Sequence, residues 1–312
     1  MINKIRIYSV FIIILWTIFH SAYCAHAEKT AVVIKSQDIS AYNEVVKGFQ
    51  DECIQNSITI KAVYDLKGKM KIGQKTVYKI RNEKPDIILT IGVLATTIAK
   101  EEIKDIPIVF CMVINHERFQ LSGLNITGIA TEISVEEQLK GFQTILYPLK
   151  NIGVIYDPSK TGNLIANAEK KAEDIGVNLV KYEINSSEEV PEAIEGLTGR
   201  IDALWLLPDS TVITKKSFDL IKSTAFEKKI PLLCTSDVFV KEGALAAVFS
   251  DYKFVGRQAS QLTREILERP SPGSLGIVNP DSFKLAVNTD TAEKLGIELE
   301  AVLGEPHIIV YP

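Results

Sequence analysis

The sequence predicts an α/β protein of two lobes, each built on a parallel sheet. Three observations carry that expectation. Apolar runs of strand length alternate with amphipathic helical stretches almost throughout the 312 residues, the pattern of an open α/β sheet. Ile201–Leu207 is a nearly continuous apolar run stopped by Pro208-Asp209, which suits a strand buried on both faces. The amphipathic stretch Lys215–Lys229 and the apolar run Ile230–Cys234 follow it. Third, the arrangement occurs twice: PDIILTIG (85–92) and IPIVFC (106–111) stand beside IDALWLLPD (201–209) and IPLLCT (230–235). Ligands of such sheets bind outside the carboxyl ends of the strands. That rule puts 92–97, 112–115, 209–211 and 236–237 around one cleft.

Taken in order, Thr30–Lys35 reads as the first strand and Ala41–Asn56 as a helix with Val45, Val46, Phe49, Cys53 and Ile54 at amphipathic spacing. Ile58–Tyr64 is a strand, Gly68–Glu83 a helix, Pro85–Gly92 a strand, and a helix opens at Val93–Thr97 before the strand Ile106–Cys111. Asn115–Thr127 has little periodicity and reads as a loop, after which Gly128–Thr131 crosses between lobes. Ser134 caps a helix to Tyr147, with Glu136 and Glu137 near its positive end. Asn151–Tyr156 is the next strand, followed by a loop Asp157–Asn163 and a helix Leu164–Ile175. Val177–Ile184 is a strand and Ser187–Gly196 a helix. After Ile201–Cys234 come a buried strand Ala244–Phe249, a helix Lys253–Leu267 and a Pro-rich turn Glu268–Ser274 across the hinge. Phe283–Asn288 is a strand, Thr291–Leu295 starts a helix, and the tail ends in the apolar run HIIVY. One lobe is therefore expected from 28–128 plus about 246–275, the other from 129–245 plus about 276–312.

Residues 1–27 read as a secretory signal: Lys4 and Arg6 precede the apolar stretch Ile5–Phe19, and Ala25-His26-Ala27 offers a small-residue cleavage site. The expected location is the periplasm. Cys24 opens a lipoprotein alternative, which Tyr23 fits poorly. Net charge is −4 for the chain, and no basic stripe exists, so nucleic acid is not an expected partner. Beyond residue 27 three cysteines remain, Cys53, Cys111 and Cys234. An odd number in an exported chain is not a disulfide framework, and small buried apolar residues are the plain reading. No CxxC or CxxH pair occurs, and only His116 and His307 follow residue 27, so neither a metal nor another cofactor is expected. There is no GxSxG elbow, P-loop or HExxH, so enzyme chemistry has no support.

The ordered motifs NITGIA (125–130), NIGVIYDPSKTGN (151–163), LPDSTVI (207–213), IPLLCTSD (230–237), EGALAAVFSDYKFVGRQAS (242–260) and LAVNTDTAEKLGIEL (285–299) resemble ABC-transporter substrate-binding proteins of the tryptophan/tyrosine type. The resemblance covers essentially all of the chain beyond the signal. It implies a type I periplasmic-binding-protein fold, in which two Rossmann-like lobes joined by three crossovers close over a small ligand. It also implies that Gly92, Ala95, Thr96, the loop Asp157–Asn163 with Thr161 and Asn163, Asp209, Thr211, Ser236 and Asp237 face that ligand. Two positions depart from the family pattern at the expected cleft: Val93-Leu94 stands where many relatives carry Thr-Pro, and Asn115-His116 where they often carry Asp-Pro.

A zwitterionic amino acid needs an anion site and a cation site. Helix starts at Val93–Thr97 and Thr161–Asn163 are expected to offer amides to its carboxylate. Asp209 or Asp237 is expected to pair with its ammonium, with a plain helix cap as the alternative for each. Ser36 and Gln37 end the first strand and Asn115 follows the fourth, all on the cleft side. Tyr42 and Tyr156 are candidates for stacking on an aromatic or apolar side chain, with lobe packing as the alternative; Trp205 lies inside a strand and reads as core. The expected function is an exported monomer that binds an aromatic or branched amino acid and hands it to a membrane ABC permease. An extracytoplasmic sensor module that signals to a membrane receptor is the alternative.

Overall fold

The computed structural model describes residues 28–269, 274–300 and 302–312. The expected signal at 1–27, with Cys24, and most of the Pro-rich turn lie outside the described residues. The chain begins β1 (Lys29–Lys35), α1 (Ser40–Gln55), β2 (Ile58–Asp65), α2 (Met70–Glu83), β3 (Ile87–Ile91), α3 (Val93–Glu102), β4 (Ile108–Cys111) and β5 (Ile126–Ile129). It continues α4 (Val135–Gln143), β6 (Asn151–Tyr156), α5 (Pro158–Asp174), β7 (Asn178–Glu183), α6 (Val190–Leu197), β8 (Ala203–Leu206), α7 (Lys215–Glu227), β9 (Leu232–Cys234) and α8 (Asp237–Lys241). The last elements are β10 (Ala246–Ser250), α9 (Tyr252–Glu268), β11 (Gly276–Val278), β12 (Phe283–Asn288), α10 (Thr289–Leu295) and β13 (Ile308–Tyr311).

Two sheets result. The first has the order β11-β5-β4-β3-β1-β2 and is parallel throughout. The second has the order β13-β12-β10-β9-β8-β6-β7, with one antiparallel pair, β10 with β12. Each sheet is covered on both faces. In the first lobe, one face buries Val45, Phe49 and Val255 from α1 and α9, and the other buries Val77, Ile80 and Ile98 from α2 and α3. In the second, Leu139, Phe142 and Ile165 cover one face, and Ile194, Phe218 and Ile221 the other. Burial on both sides explains why the strands read as unbroken apolar runs. Trp205 is wholly buried in β8, as its place inside a strand implied.

Among the described residues three crossovers link the lobes: β5 to α4, β10 to α9, and β11 to β12. They move the expected boundaries. β10 was expected in the first lobe but pairs with β9 and β12 in the second sheet. β11 was expected with the second lobe but pairs with β5 in the first. The strand and the helix after it therefore part company, because α9 returns to pack on α1. Gly48 and Gly256 make that packing close: a Cβ on Gly48 would lie 1.9 Å from the Lys253 carbonyl oxygen, and one on Gly256 2.1 Å from that of Val45.

Candidate ligand-binding site

The residues expected at the strand ends form three hydrogen-bonded knots. In the first lobe, Ser36 Oγ donates to the Ile91 carbonyl (3.0 Å) and accepts from the Ala95 amide (3.0 Å), so it joins β1, β3 and the start of α3. Gly92 makes the turn at φ +88°, and a Cβ there would meet Tyr42 Oη at 2.4 Å and Ser36 Oγ at 2.7 Å. Only glycine suits that backbone and that space. Burial raises the Tyr42 phenol above its ordinary pKa. Thr96, expected to face a ligand, is wholly buried; its hydroxyl donates to the Gly92 carbonyl (2.8 Å) and lies 3.0 Å from Thr90 Oγ1. Gln37 is exposed beside this knot.

The second knot ties β6 to β8. The Asp209 carboxylate accepts from the Asp157 amide (2.9 Å) and Thr161 Oγ1 (2.7 Å) through Oδ2, and from the Thr211 and Val212 amides (2.9 and 3.3 Å) through Oδ1. It is 1% exposed. Asp157 in turn caps α5, accepting from the Ser159 amide and hydroxyl (2.8 and 2.7 Å) and from Thr211 Oγ1 (2.7 Å). Those hydroxyl bonds hold the Asp157 carboxyl below the usual carboxylate range. The expected ammonium partner, Asp209, thus gives both oxygens to its own loops. The expected helix start at 161–163 is also corrected: α5 opens at Pro158, whose fixed φ suits a first helical position, so Asn163 stands in the second turn.

The third knot joins β9 to the last strand. Ser236 Oγ accepts from the Val238 amide (3.4 Å) and caps α8. Asp237 accepts from Lys241 Nζ (2.6 Å) and Tyr311 Oη (3.0 Å), and is 8% exposed. Tyr156, expected to stack on a ligand, turns into the core instead. Its hydroxyl donates to Glu183 Oε1 (2.6 Å), and burial beside that carboxylate pushes its pKa up to about 12.

Between the lobes lies a cavity of about 660 Å³. Of the expected residues it is lined by Asn115 and by 158–163 of the expected loop, Thr161 and Asn163 among them. Of its charged residues Lys160 lies in the expected loop, whereas Glu117, Arg118 and Glu132 were not expected there. Arg118 comes from a 3-10 turn His116–Phe119 after β4, Lys160 from the first turn of α5, and Glu132 from the β5–α4 crossover. Among the described residues neither Arg118 nor Lys160 takes part in an ion pair. Asn115 is left-handed at φ 51°, a conformation Asn tolerates, and its amide donates to Glu132 Oε1. A smaller recess of about 70 Å³ shares Ile114, Glu132, Leu164 and Pro208 with the main cavity. An acid directly after a predicted crossover was the one available signal for Glu132.

A family model described as ABC transporter substrate binding protein matches residues 31–309. A tyrosine-binding protein of Clostridioides difficile (strain R20291) is 28% identical over 262 residues, 81% of this chain and 75% of the relative. An uncharacterized protein of Rickettsia prowazekii (strain Madrid E) is 24% identical over 269 residues, 85% of this chain and 84% of the relative. The ligand-free, open structure of a substrate binding protein with adhesive properties from Clostridium difficile superposes with a TM-score of 0.77 at 24% identity, over 91% of this chain and 99% of that one. A Streptococcus pneumonia ABC domain in complex with L-Trp gives 0.65 at 20% identity, over 91% and 100%.

Proposed function

This chain belongs to the ABC transporter substrate-binding protein family, and on that premise we propose that it is exported, binds an aromatic amino acid between its lobes and delivers it to a membrane ABC importer. The observation that carries the reading is the charge arrangement of the inter-lobe cavity. Arg118 and Lys160 stand on its walls with Glu132 at the hinge and Glu117 next to Arg118 in the chain, cations and acids for the two ends of a zwitterion. The carboxylate of the amino acid pairs with Arg118 and Lys160, and the ammonium with Glu132. Asn115, Thr161 and Asn163 add polar contacts around the head group. A volume of about 660 Å³ falls within the usual range for a small-molecule site, about 300–1,000 Å³. Two relatives support the substrate class: one is a tyrosine-binding protein and one holds L-Trp. The arms that supply Arg118 and Lys160 belong to different lobes, so a ligand that bridges them draws the lobes together.

The test is a thermal-shift panel on residues 28–312 with aromatic, branched and acidic amino acids, nucleosides and sugars. A ligand at 100 times its Kd adds about 2.7 kcal/mol to stability, and the aromatic amino acids are expected to give the shift. Glu132→Gln removes the charge opposite the ammonium and is expected to weaken binding at least tenfold, about 1.4 kcal/mol. A shift confined to sugars or nucleosides overturns the substrate class.

A further inference from the structure

We propose that the recess at the hinge end of the cavity is a side-chain subsite, and that the Gln138 amide oxygen there selects a ligand whose side chain ends in a hydrogen-bond donor. The inference rests on the amino-acid reading above. Three observations carry it. Gln138 lies in the first half of α4, only 5% exposed, and lines the recess together with Thr131. Its Nε2 donates to the Ile133 carbonyl at 2.7 Å, which fixes the amide, and among the described residues its Oε1 has no hydrogen-bond partner. Thr131 Oγ1 is likewise buried without a partner among the described residues. Buried polar groups in native proteins are nearly always paired, so two orphans lining one recess mark a place where a partner arrives.

The rest of the recess says what kind of partner. Ile114, Ile133, Leu207, Val248 and Phe249 make it mainly apolar, with Glu132 and Thr235 the other polar residues on its wall. About 70 Å³ holds the end of a side chain, with its body in the main cavity through the shared wall. An amide oxygen only accepts, so it calls for a donor, and the Thr131 hydroxyl serves as either. A phenolic O–H or an indole N–H carried on an otherwise apolar ring meets this demand. A site built to hydrogen-bond such a group rejects the analogue that lacks it far more strongly than an apolar pocket distinguishes a methylene.

Calorimetry on residues 28–312 with two matched pairs tests this: L-tyrosine against L-phenylalanine, and L-tryptophan against 3-benzothienylalanine, which has sulfur in place of the indole N–H. The donor-bearing member of at least one pair is expected to bind tenfold or more tightly. Gln138→Met is expected to bring that member to the level of its analogue while the analogue keeps its affinity. Thr131→Val, nearly isosteric, gives the same readout if the Gln138 variant does not fold. Equal affinities within both pairs overturn the subsite and leave the amino-acid site standing. Discrimination that survives both substitutions also overturns it. Binding of no amino acid at all overturns both readings together.

Discussion

Four donors converge on the Asp209 carboxylate, and they decide what substitution there does. Asp209→Ala strands two loop amides, the Asp157 amide and the Thr161 hydroxyl in a buried place. Bonds to a charged acceptor contribute about 1.5–3 kcal/mol each, and unpaired buried donors add a penalty. The variant is expected to lose about 3 kcal/mol or more of stability in urea unfolding, with ligand affinity falling only as the loops loosen. Full stability with a tenfold loss of affinity would return Asp209 to the role of ammonium partner. Asp157 gives a pH signature. Its folded-state pKa lies below the ordinary value of 3.8, so its contribution is complete at neutral pH and disappears as pH falls through the folded pKa. Asp157→Asn is expected to flatten the acid limb of stability below about pH 4; an unchanged limb contradicts the assignment. At this scale the sequence was a partial guide. Position at a strand end marked these acids as candidates, but an acid that caps and one that awaits a ligand have the same spacing. Only the partners tell them apart: both Asp209 oxygens accept from its own loops, Asp237 accepts from Lys241 and Tyr311 through Oδ2, and Glu132, which accepts from the Asn115 amide, stands in the cavity wall.

At the scale of elements, the α1–α9 contact is where the first lobe accepts a helix from the far side of the chain. Gly48→Ala puts a methyl 1.9 Å from a carbonyl oxygen of α9. Backbone on both sides leaves nothing flexible to give way, so the helices must part. A loss of about 3 kcal/mol is expected, at the upper end for overpacking. Gly162→Ala is the control. It lies in α5, its Cβ meets nothing closer than Pro158 at 3.8 Å, and helix propensity favours alanine by about 0.5–1 kcal/mol. Equal effects of the two would show that the helix contact is loose. Long apolar strands and amphipathic helices were legible because burial writes the period into the residues. β11 was not: it is three residues long, with two of them exposed, and pairs with β5 from a distant part of the chain. The start of α5 was misread because its proline looked like a loop residue when it occupies the first helical turn.

At the scale of the molecule, three crossovers among the described residues hold two sheets whose loops line the inter-lobe cavity. The repeated half-pattern made the two lobes legible. The sharing of strands between them was not, since β10 and α9 are consecutive in sequence yet serve different lobes. Apart from Lys160, which lies in the expected loop, the cavity's charges were hidden for a related reason. Arg118 and Glu132 lie in stretches without periodicity and meet Lys160 only when the lobes are assembled. The decisive experiment is isothermal titration of residues 28–312 with L-tyrosine and with L-tryptophan. Saturable binding of at least one, at one molecule per chain and weakened tenfold or more by Glu132→Gln, is the predicted result. No heat of binding from either, with the fold intact, would contradict an amino-acid site in this cavity.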